Sequence, residues 1–250
     1  MNETEKKLSY KRYAIAYIDI LGTKEAIKSS DSENLLNRFS SVFLMGDLIL
    51  KKKLFSEDTR TVHLKAFSDN ICIAEEIEDE KYEHIQLAWL AENCKKFQTH
   101  VYKNYGSFLM RGGITIGSLY IDDNFLLGSG LVDAYKLESE KAKYPRIIVD
   151  DKYAEKAMLY LEDAHYRIND GKSKCAIVKD DDGAYFLDYL EPDPNGFDEY
   201  IEYTYDRIKG DEVILNRILN NTKCPKDKSD WLKRYHQKIK DAYGFREENK

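Results

Sequence analysis

The stretch AIAYIDILGTKEAI, residues 14–27, has the alternation of a buried strand and then breaks at Gly22. Asp19 is out of place in it, because a carboxylate in an apolar interior costs free energy unless a cation or a hydrogen bond holds it. A second stretch, VHLKAFSDNICIAEEI at 62–77, predicts two short strands around a turn that contains Asp69. If these strands share one sheet, the two aspartates meet at its edge and form a metal site.

Helical and strand patterns alternate along the rest of the chain. The predicted elements are strands at 13–20, 61–67, 70–75, 108–120 and 146–150, helices at 24–52, 82–104, 131–143 and 152–168, and a hairpin of strands at 174–178 and 184–189. The order β-α-β-β-α-β predicts a ferredoxin-like α/β sandwich with its helices on one face.

The character of the sequence changes after EPDPNG, where two amphipathic helices are predicted at 197–219 and 229–243. We therefore divide the chain into three parts. Residues 1–11 are expected to be a flexible N-terminus, 12–192 an α/β catalytic domain, and 193–250 a helical extension packed on that domain.

The composition is that of an ordinary soluble globular protein, with 42% apolar and 34% charged residues. A net charge of −6 argues against a nucleic-acid partner, although one nucleotide could still bind through metal ions. Without a signal peptide or a long apolar span, we expect no membrane association and a cytoplasmic location. The cysteines lack the spacing of a zinc site; they are Cys72, Cys94, Cys175 and Cys224.

The two aspartates define the chemistry that the residues themselves indicate. Two hard cations held by Asp19, Asp69 and the backbone carbonyl of Ile20 would suit a nucleoside triphosphate. Turn capping by the same aspartates is the alternative, because Ser-Asp-Asn is also ordinary turn chemistry.

Four motifs resemble, in order, the signatures of class III nucleotide cyclases. YIDILGTKE resembles the strand that ends in Asp-Ile-x-Gly, and LKAFSDNICIA resembles Lys-x-x-Gly-Asp, with Ser68 in place of the glycine. RGGITIGSLY resembles the fourth strand, and GSGLVDAYKLE resembles the helix signature. IIVD at 147–150 lies where that family has its next strand, and the whole match covers residues 13–189.

The resemblance implies a catalytic domain that works as a homodimer, with its site at the interface. Asp19 and Asp69, with the Ile20 carbonyl, would bind two Mn²⁺ or Mg²⁺ ions. The ribose 3′-hydroxyl would attack the α-phosphate and expel pyrophosphate, which forms a 3′,5′-cyclic nucleotide. The turn at Gly22 and Thr23 would offer backbone amides to phosphate oxygens.

Several positions depart from the purine cyclases of that family. Val132 replaces the asparagine that contacts ribose, and Lys136 replaces the arginine that stabilises the transition state, so that Lys136 becomes the candidate catalytic cation. Phe125 lies near the position at which adenylate cyclases have the acidic residue that recognises adenine. Lys65 would contact the base, through the O2 carbonyl of a pyrimidine, or a phosphate, or would only extend from its strand to solvent. Tyr17 would stack on the base or belong to the core.

A narrower resemblance is to the pyrimidine cyclases of bacterial Pycsar anti-phage defence, carried by RGGITIG, GSGLVDAYKLE, EKAKYPRIIVD and DWLKRYH. It implies conversion of UTP to cUMP, with CTP and cCMP as the alternative, and a separate effector that senses the product. An adenylate cyclase and a catalytically inactive nucleotide-binding regulator are further alternatives. Arg111 is assigned to substrate binding; it and Arg146 would contact phosphate or a dimer partner, or form surface ion pairs.

Overall fold

The computed structural model describes residues 8–23, 27–28, 32–50, 61–105, 108–169, 175–191, 201–220 and 224–243. The strands are β1 Lys11–Leu21, β2 Val62–Phe67, β3 Asn70–Glu76, β4 Leu109–Ile121, β5 Leu126–Leu127, β6 Ile147–Val149, β7 Ile177–Lys179 and β8 Tyr185–Leu187. The helices are α1 Ser32–Leu50, α2 Glu83–Asn104, α3 Ser129–Lys136, α4 Asp151–Asn169, α5 Ile201–Leu219 and α6 Lys226–Ala242. A 3₁₀ turn at Glu80–Tyr82 precedes α2, and a π-helical turn at Leu137–Lys141 continues α3. Within these ranges no helix has both the length and the apolarity needed to cross a membrane.

The strands form one sheet in the order β2-β3-β1-β4-β6-β8-β7, with β5 paired to β4. β1 is antiparallel to both of its neighbours, β3 and β4. The first six major elements, β1-α1-β2-β3-α2-β4, thus give the strand order of a ferredoxin-like sandwich. The predicted α/β fold is confirmed, and β6, which runs parallel to β4, begins an extension of the sheet.

The two faces of β1 pack against different layers. Ala16, Ile18 and their even-numbered neighbours belong to the large core that contains residues of α1, α2 and α4. Ile15 and Tyr17 belong to a smaller cluster on the other face, with Ala134 of α3. The expectation that all helices lie on one face is therefore wrong, because α3 covers the opposite side of the sheet.

Two glycines of β4 explain how α3 comes so close to the sheet. A Cβ atom at Gly117 would lie 2.4 Å from the Cα of Gly130 in α3, and one at Gly113 would lie 2.4 Å from the Cβ of Leu137. Side chains at either position would push the helix outward. The motif RGGITIG is thus a packing surface for α3 and for the π-helical turn after it.

Helix α6 and the β7–β8 turn cover a buried cation. Arg146 has no exposed surface, and its guanidinium pairs with Asp180 and Asp182 in the β7–β8 turn. The guanidinium carbon lies 5.1 Å from the ring centre of Tyr144 and 5.7 Å from the ring centre of Trp231 in α6. The expectations for Arg146, a phosphate or dimer contact or a surface ion pair, are wrong, because these groups bury its guanidinium completely.

Candidate active site

The central strand brings Asp19 and Asp69 to one end of the sheet. Asp19 lies opposite Asn70 of β3 in the strand register, and Asp69 is the residue before Asn70. The backbone N–H of Ile20 donates a 3.0 Å hydrogen bond to the carbonyl of Asp69. The two aspartates are therefore joined by backbone pairing, although their sequence positions are far apart.

A two-residue turn presents Asp69. β2 ends at Phe67 and β3 begins at Asn70, so that only Ser68 and Asp69 connect them. Ser68 has a φ of +56°, a left-handed conformation that favours glycine. Serine at this position accepts the strain of a tight turn, and the turn directs the following residue, Asp69, toward the end of β1.

A hydrogen-bonded chain holds the Asp69 carboxylate, which is 7% exposed. The buried Thr23 hydroxyl lies 2.5 Å from Asp69 Oδ2 and 3.2 Å from the Ile20 carbonyl oxygen. Its one proton goes to the nearer, charged acceptor. Asn70 donates to Asp69 Oδ1 at 3.1 Å and accepts at 2.8 Å from the Tyr17 hydroxyl. Hydrogen bonds to both carboxylate oxygens thus fix the orientation of Asp69.

Asp19 has a cation beside it. Arg111, opposite Asp19 on β4, lies 3.4 Å from Asp19 Oδ2 and 2.5 Å from Glu138 Oε1. Glu138 is 3% exposed; burial raises the pKa of this carboxyl group, and the Arg111 charge opposes that rise. Sequence reasoning gave Glu138 no role, since its only signal was its place in the motif GSGLVDAYKLE.

The donor set at this edge fits a hard divalent cation. Carboxylate oxygens of Asp19 and Asp69 and the Ile20 carbonyl are the ligands that Mg²⁺ and Mn²⁺ prefer. The Thr23 hydroxyl contacts both Asp69 and Ile20, so their oxygens converge. In the described part of the chain, no three His, Cys, Asp or Glu side chains form a metal-binding group. Water and substrate phosphates would therefore complete the coordination.

The glycine of the predicted phosphate-binding turn after β1 and the predicted catalytic lysine of α3 are both exposed. Gly22 is exposed and has a φ of +85°, which turns the backbone away from the strand. Lys136 is exposed at the last position of α3. Phosphate binding by the turn amides and catalysis by Lys136 stay predictions.

Lys65 and Phe125 meet at one turn. Lys65 Nζ donates a 3.1 Å hydrogen bond to the carbonyl of Asp123, two residues before Phe125. The Phe125 ring is 46% exposed and packs 5.1 Å from the ring centre of Tyr120. The two residues assigned to the base are thus neighbours on the α3 side of the sheet.

Tyr17, assigned to base stacking, is 7% exposed. Tyr135 of α3 packs edge-on against its ring at a centroid distance of 5.5 Å, and Phe67 lies on another side at 6.4 Å. Burial raises the pKa of Tyr17 to about 12. The structure places this ring in the packing beneath α3, where it positions Asn70.

A cavity of about 310 Å³ lies elsewhere, between α6 and the β7–β8 turn. Its walls include Asp180, Trp231 and Lys238 but neither aspartate of the β1 edge. Arg146 and Lys238 already pair with Asp180, and Arg146 covers the Trp231 ring. The charged and aromatic groups there thus serve the packing of α6.

No protein-family model matches the chain, and no curated protein matches it. Among solved structures, the chain is similar to the adenylyl cyclase CyaB from P. aeruginosa, with 13% identity, 72% of this chain and 95% of that chain covered, and a TM-score of 0.46. It is also similar to the catalytic core of a rhodopsin-guanylyl cyclase with converted specificity, in complex with ATPαS, with 15% identity, 71% and 95% covered, and a TM-score of 0.45. A third is an adenylate/guanylate cyclase/hydrolase from Silicibacter pomeroyi, with 13% identity, 72% and 95% covered, and a TM-score of 0.38. TM-scores below 0.5 do not establish a common fold, so the ferredoxin-like description rests on strand order alone.

Proposed function

We propose that this chain is a metal-dependent nucleotide cyclase that converts UTP to 3′,5′-cyclic UMP and pyrophosphate. The observation that carries the proposal is the edge where Asp19 and the restrained Asp69 carboxylate lie beside the Ile20 carbonyl. Such an oxygen-rich edge, bordered by an exposed glycine turn, suits a triphosphate and its cations.

The chain's own residues would contribute position and charge. Asp19 and Asp69 would hold Mn²⁺ or Mg²⁺, and Thr23 and Asn70 would keep Asp69 in one orientation. When bound, such ions neutralise the triphosphate and favour attack by the ribose hydroxyl. The backbone N–H groups of Gly22 and Thr23 would bind phosphate oxygens and so align the α-phosphate for in-line displacement.

The preference for a pyrimidine rests on the turn shared by Lys65 and Phe125. Lys65 is a donor that can meet the O2 carbonyl of uracil or cytosine, whereas Phe125 offers no acceptor for the adenine amine. UTP is preferred over CTP on family resemblance alone, as is a role of the product as a second messenger sensed by a separate antiviral effector. CTP and ATP are the alternative substrates.

We propose that the homodimer interface lies along α3 and the adjacent end of β2. Val132 and Tyr135 are 49% and 50% exposed there, and Phe67, on the same side of the sheet, is 52% exposed. Exposed large apolar side chains grouped in this way indicate a protein contact. A second copy is the occupant, because Lys136 at the end of α3 would then approach the Asp19 edge of the other copy.

The function is tested by incubating the purified protein with each of the four nucleoside triphosphates and Mn²⁺, and identifying cyclic products by mass. Asp19→Asn and Asp69→Asn should each reduce turnover by about 100-fold or more, since each removes a ligand charge and keeps the shape. Asp151→Asn, at an exposed position in the first turn of α4, is the matched control and should leave turnover unchanged. Near-normal turnover by either site variant would refute the metal site.

A second experiment tests the shared site. Asp19→Asn and Lys136→Ala proteins should each be inactive alone and should recover part of the activity when mixed under conditions of subunit exchange. Verified heterodimers without recovery would place each site within one chain.

The second candidate function is an inactive nucleotide-binding regulator. The Arg111 contact with Asp19 favours it, since a cation already lies beside one of the two carboxylates. Nucleotide binding without any cyclic product from the four triphosphates would support this alternative.

A further inference from the structure

Arg111 lies between two carboxylates at unequal distances. Its NH2 group is 2.5 Å from Glu138 Oε1 and 3.4 Å from Asp19 Oδ2. Glu138 thus forms the close ion pair with the guanidinium, whereas the hydrogen bond that Arg111 donates to Asp19 is long. The guanidinium beside Asp19 is therefore paired more closely with Glu138.

The position of Glu138 is fixed by the packing of its own backbone. The π-helical turn at Leu137–Lys141 begins directly after α3, and single π-helical turns occur frequently at functional sites. A Cβ atom at Gly113 would lie 3.0 Å from the backbone nitrogen of Glu138 and 2.4 Å from Leu137 Cβ. The turn thus rests directly on β4, and the Glu138 side chain, 3% exposed, stays against Arg111.

Charge balance then decides what Arg111 does to Asp19. With Glu138 ionised, its carboxylate, as the closer partner, offsets most of the guanidinium charge. Without the Glu138 charge, Arg111 would be free to form a close, bidentate pair with Asp19, which occupies the same oxygens that a divalent cation needs.

We infer that Glu138 is a positioning residue that holds Arg111 back from Asp19 and so leaves Asp19 able to bind a divalent cation. This inference rests on the proposed function, because it takes Asp19 to be a metal ligand. Groups that orient metal ligands from the second layer typically change metal affinity by about 10–100-fold when they are replaced.

The test is a direct titration of the protein with Mn²⁺ in the absence of nucleotide. The free Mn²⁺ is measured by electron paramagnetic resonance. Glu138→Gln should weaken Mn²⁺ binding by about tenfold or more. Glu140→Gln removes the same charge from an exposed position of the same turn and should change the affinity by less than about twofold, as screening of exposed charges requires. The double variant Glu138→Gln/Arg111→Gln removes the competing cation as well and should recover most of the lost affinity.

A conservative variant covers the case in which Glu138→Gln does not fold. Glu138→Asp keeps the charge but shortens the side chain, so Arg111 should move toward Asp19 and the Mn²⁺ affinity should again fall. Wild-type affinity in the folded Glu138 variants, or equal losses in the Glu138→Gln and Glu140→Gln proteins, would overturn the inference while leaving the cyclase proposal intact. Absence of Mn²⁺ binding by the wild-type protein would instead refute the metal site on which both depend.

Discussion

Thr23→Val is the most informative single change at this edge. Valine keeps the shape of threonine but removes the hydroxyl that lies 2.5 Å from Asp69 Oδ2, at a position that is 1% exposed. A buried hydrogen bond to a charged group contributes about 1.5–3 kcal/mol. We expect the free energy of unfolding to fall by that amount, as measured by urea denaturation followed by circular dichroism at pH 7. If Asp69 needs the same bond in the transition state, 1.5–3 kcal/mol corresponds to a roughly 10- to 150-fold loss of Mn²⁺-dependent turnover.

Thr23→Ser is the matched control because it keeps the hydroxyl and loses one methyl group. Its unfolding free energy should fall by only about 1 kcal/mol, the value of one buried methyl group, and its turnover should stay near wild type. Turnover of the valine protein within twofold of the serine protein would refute the idea that Thr23 orients a catalytic carboxylate. A purely packing role would lower the stability of both variants without separating their activities.

Three further predictions concern the framework around the site. Gly117→Ala should lower the unfolding free energy by about 1–3 kcal/mol, because its Cβ would lie 2.4 Å from the Cα of Gly130. The control Gly210→Ala, in open space on α5, should raise the unfolding free energy by about 0.5–1 kcal/mol. Thermal unfolding of the two variants measures this difference. Arg146→Met should cost about 1.5–3 kcal/mol in urea denaturation, since it removes the closest cation from Asp180 and from Asp182. A loss below about 1 kcal/mol would contradict a stabilising role of these ion pairs. Burial lowers the pKa of His236, so the unfolded chain binds more protons on acidification and stability should fall as the pH drops below about 6.5; His236→Gln should flatten that slope.

The sequence pattern predicted the elements closely because most of them are strongly periodic. The alternation around Asp19 identified β1, and the Ser-Asp-Asn turn identified the β2–β3 hairpin, so the meeting of Asp19 and Asp69 followed from topology. Both signals are local, and the known pairing rules of small sheets then place the two strands side by side.

What the sequence did not reveal depends on contacts between distant residues. The face on which α3 lies is decided by the Gly117–Gly130 contact, which no periodicity encodes. Arginine is usually found at the surface, and the acidic partners that bury Arg146 lie more than thirty positions later in the sequence. The role of Glu138 could not be predicted either, because its contact with Arg111 depends on the register of β4 in the folded sheet.

The buried guanidinium has a consequence for where this chain can be cut. The resemblance to class III cyclases as a whole ends near residue 189, yet Trp231 of α6 covers Arg146 and also donates a 2.7 Å hydrogen bond to Asp180. A fragment that stops at residue 192 would expose an arginine and an aromatic surface that the full chain keeps from water. The smallest unit that can be expressed and crystallised as a stable protein should therefore extend through α6, well beyond residue 189.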